Sequence, residues 1–314
     1  MKLSEFELIE RLTRGLESNG HVSIGAGDDC AVLDLGVPGQ ELLFKTDAVV
    51  EGVHFTREAG FGRVGHKALG RCLSDVAAMG GRPSAALVTL GLPDDYRVED
   101  LEMLYEGIRS LASTYGVAIV GGETTRNPGG LLISIALIGL VRRGRAARRS
   151  GARVGDAILV SGLLGGAMDG KHLDFEPRVE QGIWLCENYS IHSMLDLSDG
   201  LAGDLRHILK ASGVGAELLA RAIPVSSEAK RRSRLGEGSK PALLAALTDG
   251  EDFELLFTVA ACDAVRIVDS WKSRFPDIPL SCIGRVVEEA GLRIQDSRGI
   301  RELNAHGYVH FSEF

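Results

Sequence analysis

Residues 65–92, GHKALGRCLSDVAAMGGRPSAALVTLGL, change from a helical pattern to a strand pattern within a few positions. The first part has apolar side chains at helical spacing: Leu69, Cys72, Leu73, Val76 and Ala77. Gly80 and Gly81 end the predicted helix, and Pro83 prevents its renewal. The apolar run 84–92 then predicts a buried strand. A helix followed closely by a buried strand indicates a mixed α/β protein.

The segments on either side extend this pattern. A strand is predicted at 41–50 before the helix, and a second helix at 98–116 follows the strand, with further strands at 117–125 and 131–141. The second half also alternates, with strands predicted at 156–162, 193–199, 253–260 and 280–288, and helices at 176–189, 200–212 and 240–250. The polar, charged segment 226–240 is interpreted as a surface loop.

A basic segment divides the chain. Residues 142–156, RRGRAARRSGARVGD, contain six arginines without apolar periodicity. Because 314 residues are too many for one ordinary domain, we predict an N-terminal domain over 1–145 and a C-terminal domain over 146–314. The arginines have two interpretations: a solvated linker, or a segment that places one arginine on a nucleotide phosphate.

Composition narrows the possible partners. The formal net charge is −8, whereas nucleic acids and anionic membranes attract basic surfaces, so neither is expected as a partner. The longest apolar run, 131–141, is too short to span a bilayer, and the N-terminus has no signal-peptide pattern. The five cysteines form no C-x-x-C pair, which argues against a zinc ribbon or a disulfide framework and favours a reduced, cytoplasmic setting.

The segment 24–33, IGAGDDCAVL, combines a glycine turn with two carboxylates. Glycines let backbone N–H groups approach an anion, but Asp28 and Asp29 would repel a phosphate. A second glycine-rich segment, GGAMDGKH, resembles a Walker A loop, with Gly165, Gly170 and Lys171 in place. It has His172 where a hydroxyl would hold magnesium, so a structural glycine turn is the favoured interpretation.

Carboxylates recur where predicted strands end. Each alone is more often a cap or turn residue, but strand ends gather at one edge of an α/β sheet, where ligands bind. Converging carboxylates repel one another unless cations separate them, and magnesium binds both carboxylate and phosphate oxygens. We therefore predict a magnesium–phosphate site. Its candidates are Asp28, Asp29, Asp47, Asp75, Glu123, Asp196, Asp199, Glu251, Asp252 and Glu254.

Seven motifs, in order, resemble the thiamine-monophosphate kinase family: GDDCAVL, KTDAVVEGVHF, LSDVAAMGGRPSAALVTLGLP, VGGETTR, RSGARVGD, LDLSDGLAGDL and GEDFELLF. GYVHF at 307–311 resembles its C-terminal motif. The resemblance implies the two-domain aminoimidazole ribonucleotide synthetase-like fold, with N-terminal sheets that form a barrel across a homodimer. It also implies magnesium-dependent transfer of the γ-phosphate of ATP to thiamine monophosphate, with several magnesium ions.

The resemblance further implies roles at matching positions. The metal ligands it implies are Asp28, Thr46, Asp47, Asp75, Glu123, Asp196 and Asp199. The ATP contacts are Tyr105, Gly122, Glu123, Arg149 and Ser198, and the substrate contacts are His54, Glu251 and Tyr308. His54 could instead be a turn residue and Tyr308 a packing residue. Because the substrate phosphate is already an anion, direct in-line attack needs no strong general base.

The chain departs from the family pattern in several places. Lys45 stands where a small hydroxyl residue is usual, Glu123 where Asp is usual, and Arg71 where Asn is common, and HLDFEPR (172–178) replaces a proline-rich segment. Lys45 is either a solvated lysine on the far face of its strand or a charge that replaces part of a metal ion's charge.

Two alternative functions stay open at this stage. One is another ATP-dependent member of the superfamily that acts on a different small substrate. The other is a catalytically silent nucleotide-binding protein, against which the joint presence of five of the aspartates argues: Asp28, Asp47, Asp75, Asp196 and Asp199.

Overall fold

The computed structural model describes residues 5–236, 240–305 and 307–308. The helices of this part of the chain are α1 (Glu5–Thr13), α2 (Phe61–Ala78), α3 (Val98–Tyr115), α4 (Lys171–Asp174), α5 (Val179–Asn188), α6 (Leu201–Ser212), α7 (Ser227–Leu235), α8 (Ala242–Thr248) and α9 (Ala261–Arg274). In the described ranges, no helix combines the length and the apolar character needed to cross a membrane.

The strands are β1 (Val22–Ile24), β2 (Ala31–Leu33), β3 (Gln40–Val50), β4 (Arg82–Leu92), β5 (Ala118–Arg126), β6 (Leu132–Arg142), β7 (Ala157–Ser161), β8 (Ser193–Asp196), β9 (Gly215–Leu219), β10 (Leu255–Val259), β11 (Leu280–Val287), β12 (Gly291–Asp296) and β13 (Gly299–Glu302). Together with the helices they give a mixed α+β protein with two sheets, which confirms the mixed α/β class; the barrel across a homodimer stays a prediction.

The chain forms two compact units. The first unit contains Asp29–Ala146 and Gly170–Asn188, and the second contains Met1–Asp28, Ala147–Asp169 and Tyr189–Phe314. The chain thus leaves the first unit at Ala146 and returns to it for α4 and α5. The single domain boundary between residues 145 and 146 stays a prediction.

The first unit is built on long paired strands. Its strands lie in the order β2-β3-β6-β4-β5, with β4 and β5 parallel and the other pairs antiparallel. The helix α2 packs on one face of this sheet, and its predicted apolar positions, Leu69, Cys72, Leu73 and Val76, are all fully buried. The helix ends at Ala78 with Met79 as its C-cap, and Gly80 follows in the left-handed region at φ 69°, where glycine is favoured.

The second unit has a sheet in the order β13-β12-β9-β11-β7-β10-β8. Only β9 and β12 pair in parallel among the pairs described. Its core packs α6 against the sheet, with Leu205 and Ile208 beside Val160 and Leu195. These side chains come from the predicted strands 156–162 and 193–199 and the predicted helix 200–212.

The structure corrects one segment and adds several elements. The prediction of a loop over 226–240 is wrong for 227–235, which form α7. The Oγ of Ser226 accepts the N–H of Ala229 and caps this helix, and a capped polar helix needs no apolar periodicity. The apolar pattern of the sequence did not predict β9, β12, β13 or α9. Residues 237–239 of the predicted loop lie outside the described part of the chain.

Candidate active site

The first unit places four charged side chains of β3 and α2 in two crossed ion pairs. The Nζ of Lys45 lies 2.9 Å from Oδ1 of Asp75, and Nε of Arg71 lies 2.8 Å from Oδ2 of Asp47. Lys45 and Asp47 share a face of β3 because side chains alternate along a strand. Arg71 and Asp75 lie one turn apart on α2. We call these four residues the charge quartet.

In each ion pair of the quartet, each side chain stabilises the charged form of its partner. Burial alone would raise the pKa of Asp47, but Arg71 and Lys45 outweigh burial and hold that pKa below its usual value. Burial alone would lower the pKa of Lys45, but Asp75 and Asp47 raise it above its usual value. The quartet therefore consists of two carboxylates and two cations, which balance one another. Lys45 is not a solvated lysine on the far face of the strand.

These contacts bear on whether magnesium fits the predicted ligands of this unit. A magnesium ion on the same oxygens of Asp75 and Asp47 would lie beside an ammonium and a guanidinium, and like charges repel. Thr46 faces the opposite side of β3, where its Oγ1 lies 3.4 Å from the Oγ of Ser134. A divalent ion on these same oxygens of Asp75 and Asp47 is therefore disfavoured while Lys45 and Arg71 keep their contacts.

His54 closes the turn after β3. Its Nδ1 accepts the N–H of Val50 at 3.1 Å, so the ring of this neutral tautomer carries its proton on Nε2. The carbonyl oxygen of His54 accepts a bond of 2.7 Å from Nζ of Lys67, a fully buried lysine that also contacts Nδ1 of His172 at 2.8 Å. Lys67 is not among the residues predicted from the sequence, because its segment has the pattern of an ordinary helix.

The predicted nucleotide contacts of the first unit lie on α3 and β5, whereas the quartet lies on β3 and α2. Tyr105 is half-buried on α3, and Glu123 is exposed on β5, where Oε1 accepts the N–H of Thr124 at 2.8 Å. Gly122 pairs with Val88 of β4. A Cβ at Gly122 would lie 1.7 Å from the carbonyl oxygen of Val88, so only glycine fits there.

The second unit gathers predicted residues around two adjacent turns. Asp196 ends β8, and the carbonyl of Ser198 accepts the N–H of Glu251 at 2.7 Å. Glu251 and Phe253 have φ values of 57° and 50°, which side-chain-bearing residues rarely adopt. The carbonyl of Asp199 accepts the N–H of Tyr308 at 2.8 Å. The predicted residues Asp196, Ser198, Asp199, Glu251 and Tyr308 are thus brought together here.

Two residues of α6 join this group. Ligand atoms of Asp199, Asp204 and His207 all lie within 4.8 Å of one another. Burial raises the pKa of Asp204 well above its usual value, and the charges of Asp199 and Asp196 raise it further. Crowded carboxylates of this kind fit a bound cation, and oxygens are the ligands that magnesium prefers. The spacing of Asp204 and His207, three residues apart on a predicted helix, was the signal that could have identified them.

Asp28 and Arg149 also meet in the second unit. The Oδ1 of Asp28 accepts the backbone N–H of Arg149 at 2.7 Å. The neighbouring carboxylates Asp252 and Glu254 are almost fully buried and have internal partners. Both oxygens of Asp252 lie 3.0 Å from the N–H of Gly165, and Oε2 of Glu254 accepts the hydroxyl of Ser161. These two carboxylates have a structural role.

The Walker-like segment forms a structural turn. The carboxylate of Asp252 accepts the N–H of Gly165, and Oδ2 of Asp249 accepts the N–H of Gly166 at 3.2 Å. In a phosphate-binding loop, such N–H groups point at the phosphate. Here carboxylates of the same chain accept the N–H groups of Gly165 and Gly166. These two N–H groups therefore do not point at a phosphate.

Comparison with known proteins adds a family to this geometry. Residues 27–141 match the family model described as AIR synthase related protein, N-terminal domain. Thiamine-monophosphate kinase of Rhodopirellula baltica is 40% identical over 299 residues, with 92% of each chain covered. Thiamine-monophosphate kinase of Escherichia coli K12 is 35% identical, with 99% of each chain covered. A solved structure described as AaThiL complexed with AMPPCP and TMP is 32% identical, covers 99% of each chain and has a TM-score of 0.83.

Proposed function

The chain belongs to the thiamine-monophosphate kinase family, and from that premise we propose a magnesium-dependent, direct transfer of the γ-phosphate of ATP to thiamine monophosphate. The observation that carries the proposal is similarity over nearly the whole chain to proteins of that name, at up to 40% identity among those given above. The similarity to a complex with an ATP analogue and TMP supports both substrates.

The residues proposed for the site fall into three groups. The sequence-based cation-binding candidates are Asp28, Thr46, Asp47, Asp75, Glu123, Asp196 and Asp199. Of these, Asp75 and Asp47 already contact Lys45 and Arg71, and Thr46 faces the other side of β3. The ATP-binding candidates are Tyr105, Gly122, Glu123, Arg149 and Ser198. The candidates for thiamine monophosphate are His54, Glu251 and Tyr308. The contacts within the second unit support this assignment best, since five of these residues lie around two adjacent turns there.

Magnesium would be held best in the second unit. The carboxylate of Asp199 would hold it beside Asp204, whose Oδ2 also accepts the backbone N–H groups of Asp199 and Gly200. His207 would stay a secondary partner because imidazole suits this hard cation poorly. When bound, magnesium neutralises charge on the phosphates that react. Several such ions are part of the proposal.

The chain's own residues position the phosphates and supply fixed charge. Asp28 fixes the backbone of Arg149, and a guanidinium can make two parallel bonds to a phosphate. The neutral His54 ring can donate from Nε2 to an anion, because Nδ1 is already an acceptor. The nucleophile is an anionic phosphate oxygen, so no residue has to remove a proton from it.

The direct test is release of ADP with and without thiamine monophosphate over a range of magnesium concentrations. We expect thiamine monophosphate to stimulate ADP release and to be converted to thiamine diphosphate. Free thiamine, which lacks the nucleophilic phosphate, is expected to be a poor acceptor. If thiamine monophosphate does not stimulate ADP release at any magnesium concentration, the proposal is wrong. A different superfamily substrate or a silent site would then be the explanation.

Direct transfer makes a separate prediction about labelling. Incubation with γ-labelled ATP alone is expected to leave no acid-stable or base-stable label on the protein, since no phosphoenzyme forms. A stoichiometric label that is later transferred to thiamine diphosphate would contradict the direct mechanism. It would not contradict the assignment of ATP and thiamine monophosphate as the substrates.

A homodimer with a barrel formed by two first-unit sheets is also part of the proposal. One face of this sheet packs on α2, whereas Phe44 and Leu87 on the other face are 48% and 47% exposed. Apolar side chains on an extended sheet face favour association with a second copy.

We infer a cytoplasmic setting as well, which suits an enzyme that uses ATP. The thiols of Cys30, Cys72 and Cys186 are buried, and their pKa values are raised by burial.

A further inference from the structure

The charge quartet differs from a set of carboxylates that waits for metal ions. Both of its carboxylates already have a cation of the same chain within hydrogen-bond distance, at 2.9 Å for Asp75 and 2.8 Å for Asp47. Arg71 makes a second contact to Asp47, of 3.3 Å from Nη2 to Oδ1. All four side chains are at most 22% exposed, so water screens these pairs less than it would at the surface.

The arrangement is fixed by the backbone elements that carry it. Lys45 and Asp47 lie two positions apart on β3, and Arg71 and Asp75 lie four positions apart on α2. Each of these two ion pairs joins a residue of the strand to a residue of the helix. The two pairs therefore depend on how α2 packs on β3.

We propose that Lys45 and Arg71 are resident cations of the phosphoryl-transfer site. They neutralise Asp75 and Asp47, and the protein binds fewer divalent ions there than its number of carboxylates implies. The inference rests on the proposed function for the identity of the site, but the charge balance stands on the contacts within the first unit.

Resident cations have a chemical consequence. An ammonium and a guanidinium donate charge-assisted hydrogen bonds to phosphate oxygens, and unlike a magnesium ion they are never lost by dissociation or chelation. A divalent ion that used the same carboxylate oxygens would approach two positive groups. Removing either positive group should therefore create or strengthen a site for a divalent ion.

The test counts bound ions and needs no turnover. The full chain with AMPPCP is titrated with Mn²⁺, and free Mn²⁺ is measured by electron paramagnetic resonance. Lys45→Thr and Arg71→Asn should each bind one more ion than the unchanged protein, or bind Mn²⁺ at least about fivefold more tightly. Lys45→Arg, which keeps the charge, and Lys272→Thr, which removes an exposed lysine of α9, should match the unchanged protein. If both charge-removing variants bind the same number of ions with the same affinity as the unchanged protein, the proposal is wrong.

Thermal unfolding provides a second readout if a variant folds poorly without metal. Magnesium should raise the unfolding temperature of Lys45→Thr more than that of the unchanged protein or of Lys45→Arg, because the ion would neutralise the uncompensated Asp75. Equal shifts in all three proteins would overturn the inference. Failure of thiamine monophosphate to stimulate ADP release would contradict only the proposed function, since neither readout uses that substrate.

Discussion

Adjacent residues of one motif have different surroundings in this protein. Lys45 and Asp47 face α2, whereas Thr46 between them faces the other side of β3 and contacts Ser134. Alternation along the strand is the reason. A motif that matches residue by residue can therefore hold a side chain that points away from the group its neighbours form.

The quartet and the glycine turn should respond very differently to substitution. Asp75→Asn removes a buried charge of the proposed site, and turnover should fall by at least about a hundredfold, as it does when a preorganised charge-stabilising group is lost. Lys171→Ala should cost much less, because the turn before it has its N–H groups occupied by Asp252 and Asp249. The measurement is ADP release with thiamine monophosphate. Equal losses in two folded variants would return the Walker-like interpretation to consideration.

Glu51 allows a pH prediction away from the quartet. Burial raises its pKa, but the N–H of Leu131 and the side chains of Arg57 and Tyr96 outweigh burial and lower the pKa from the reference value of 4.5. Fewer protons are then bound in the folded than in the unfolded state. Its contribution to stability is complete above about pH 4.5 and is lost as the pH falls through the lowered pKa.

Glu51→Gln should therefore destabilise the protein at pH 7 by about 1.5–3 kcal/mol, the range for hydrogen bonds to a charged group. The difference from the unchanged protein should shrink as the pH falls below 4.5, which denaturant unfolding at several pH values measures. Glu99→Gln changes the same charge at an exposed position of α3 and should have little effect. If the loss of unfolding free energy in Glu51→Gln did not change with pH, the charge of Glu51 would contribute nothing to stability.

At the scale of elements, α2 and α3 pack closely through glycines. A Cβ at Gly65 would lie 2.0 Å from the carbonyl oxygen of Leu104, and one at Gly107 would lie 1.8 Å from that of Gly62. The two helices can approach this closely only because these positions have no side chain. Since α2 carries Arg71 and Asp75, the glycine contacts also help to fix the helical half of the charge quartet.

Gly107→Ala should push the helices apart and destabilise the protein by about 1–3 kcal/mol, as overpacking commonly does. Gly20→Ala is a suitable control, because a Cβ there would meet nothing within 4 Å. Denaturant unfolding of both variants measures the difference. If Gly107→Ala were as stable as Gly20→Ala, the close packing of α2 and α3 would not be a constraint on stability.

At the scale of the whole molecule, the exposed sheet face of the first unit matters most. Phe44 pairs with Ile138, and Leu87 pairs with Ala136 on the same side of the sheet. This face contains apolar residues that a monomer would leave in water. The proposed homodimer would cover them, and burial of apolar surface stabilises such an association.

Leu87→Glu should convert the dimer to a monomer, because a charge in an apolar interface is costly to bury. Light scattering coupled to gel filtration measures the mass of each protein. Val265→Glu adds the same charge at a 71% exposed position of α9 and should leave the dimer intact. A Leu87→Glu protein that stays dimeric would place the interface elsewhere, and a monomeric unchanged protein would contradict the dimer itself.

The sequence by itself determined most elements and the family. The periodicity of Leu69, Cys72, Leu73 and Val76 predicted α2, because a helix with one buried face must repeat apolar residues in this way. The long strands β3, β4 and β6 were identified because each buries enough apolar residues to be distinctive. The polar helix α7 and the short strands β12 and β13 lack such a pattern, so only the folded chain revealed them.

Tertiary structure alone decided how the charged residues combine. The sequence indicated that Asp47 and Asp75 belong to one site, but not that Arg71 and Lys45 neutralise them across β3 and α2. It also did not indicate that Asp204 and His207 join Asp199, or that Asp252 occupies the N–H of the Walker-like turn. Local pattern fixes the face on which a side chain lies, whereas its partner depends on the packing of elements that are distant along the chain.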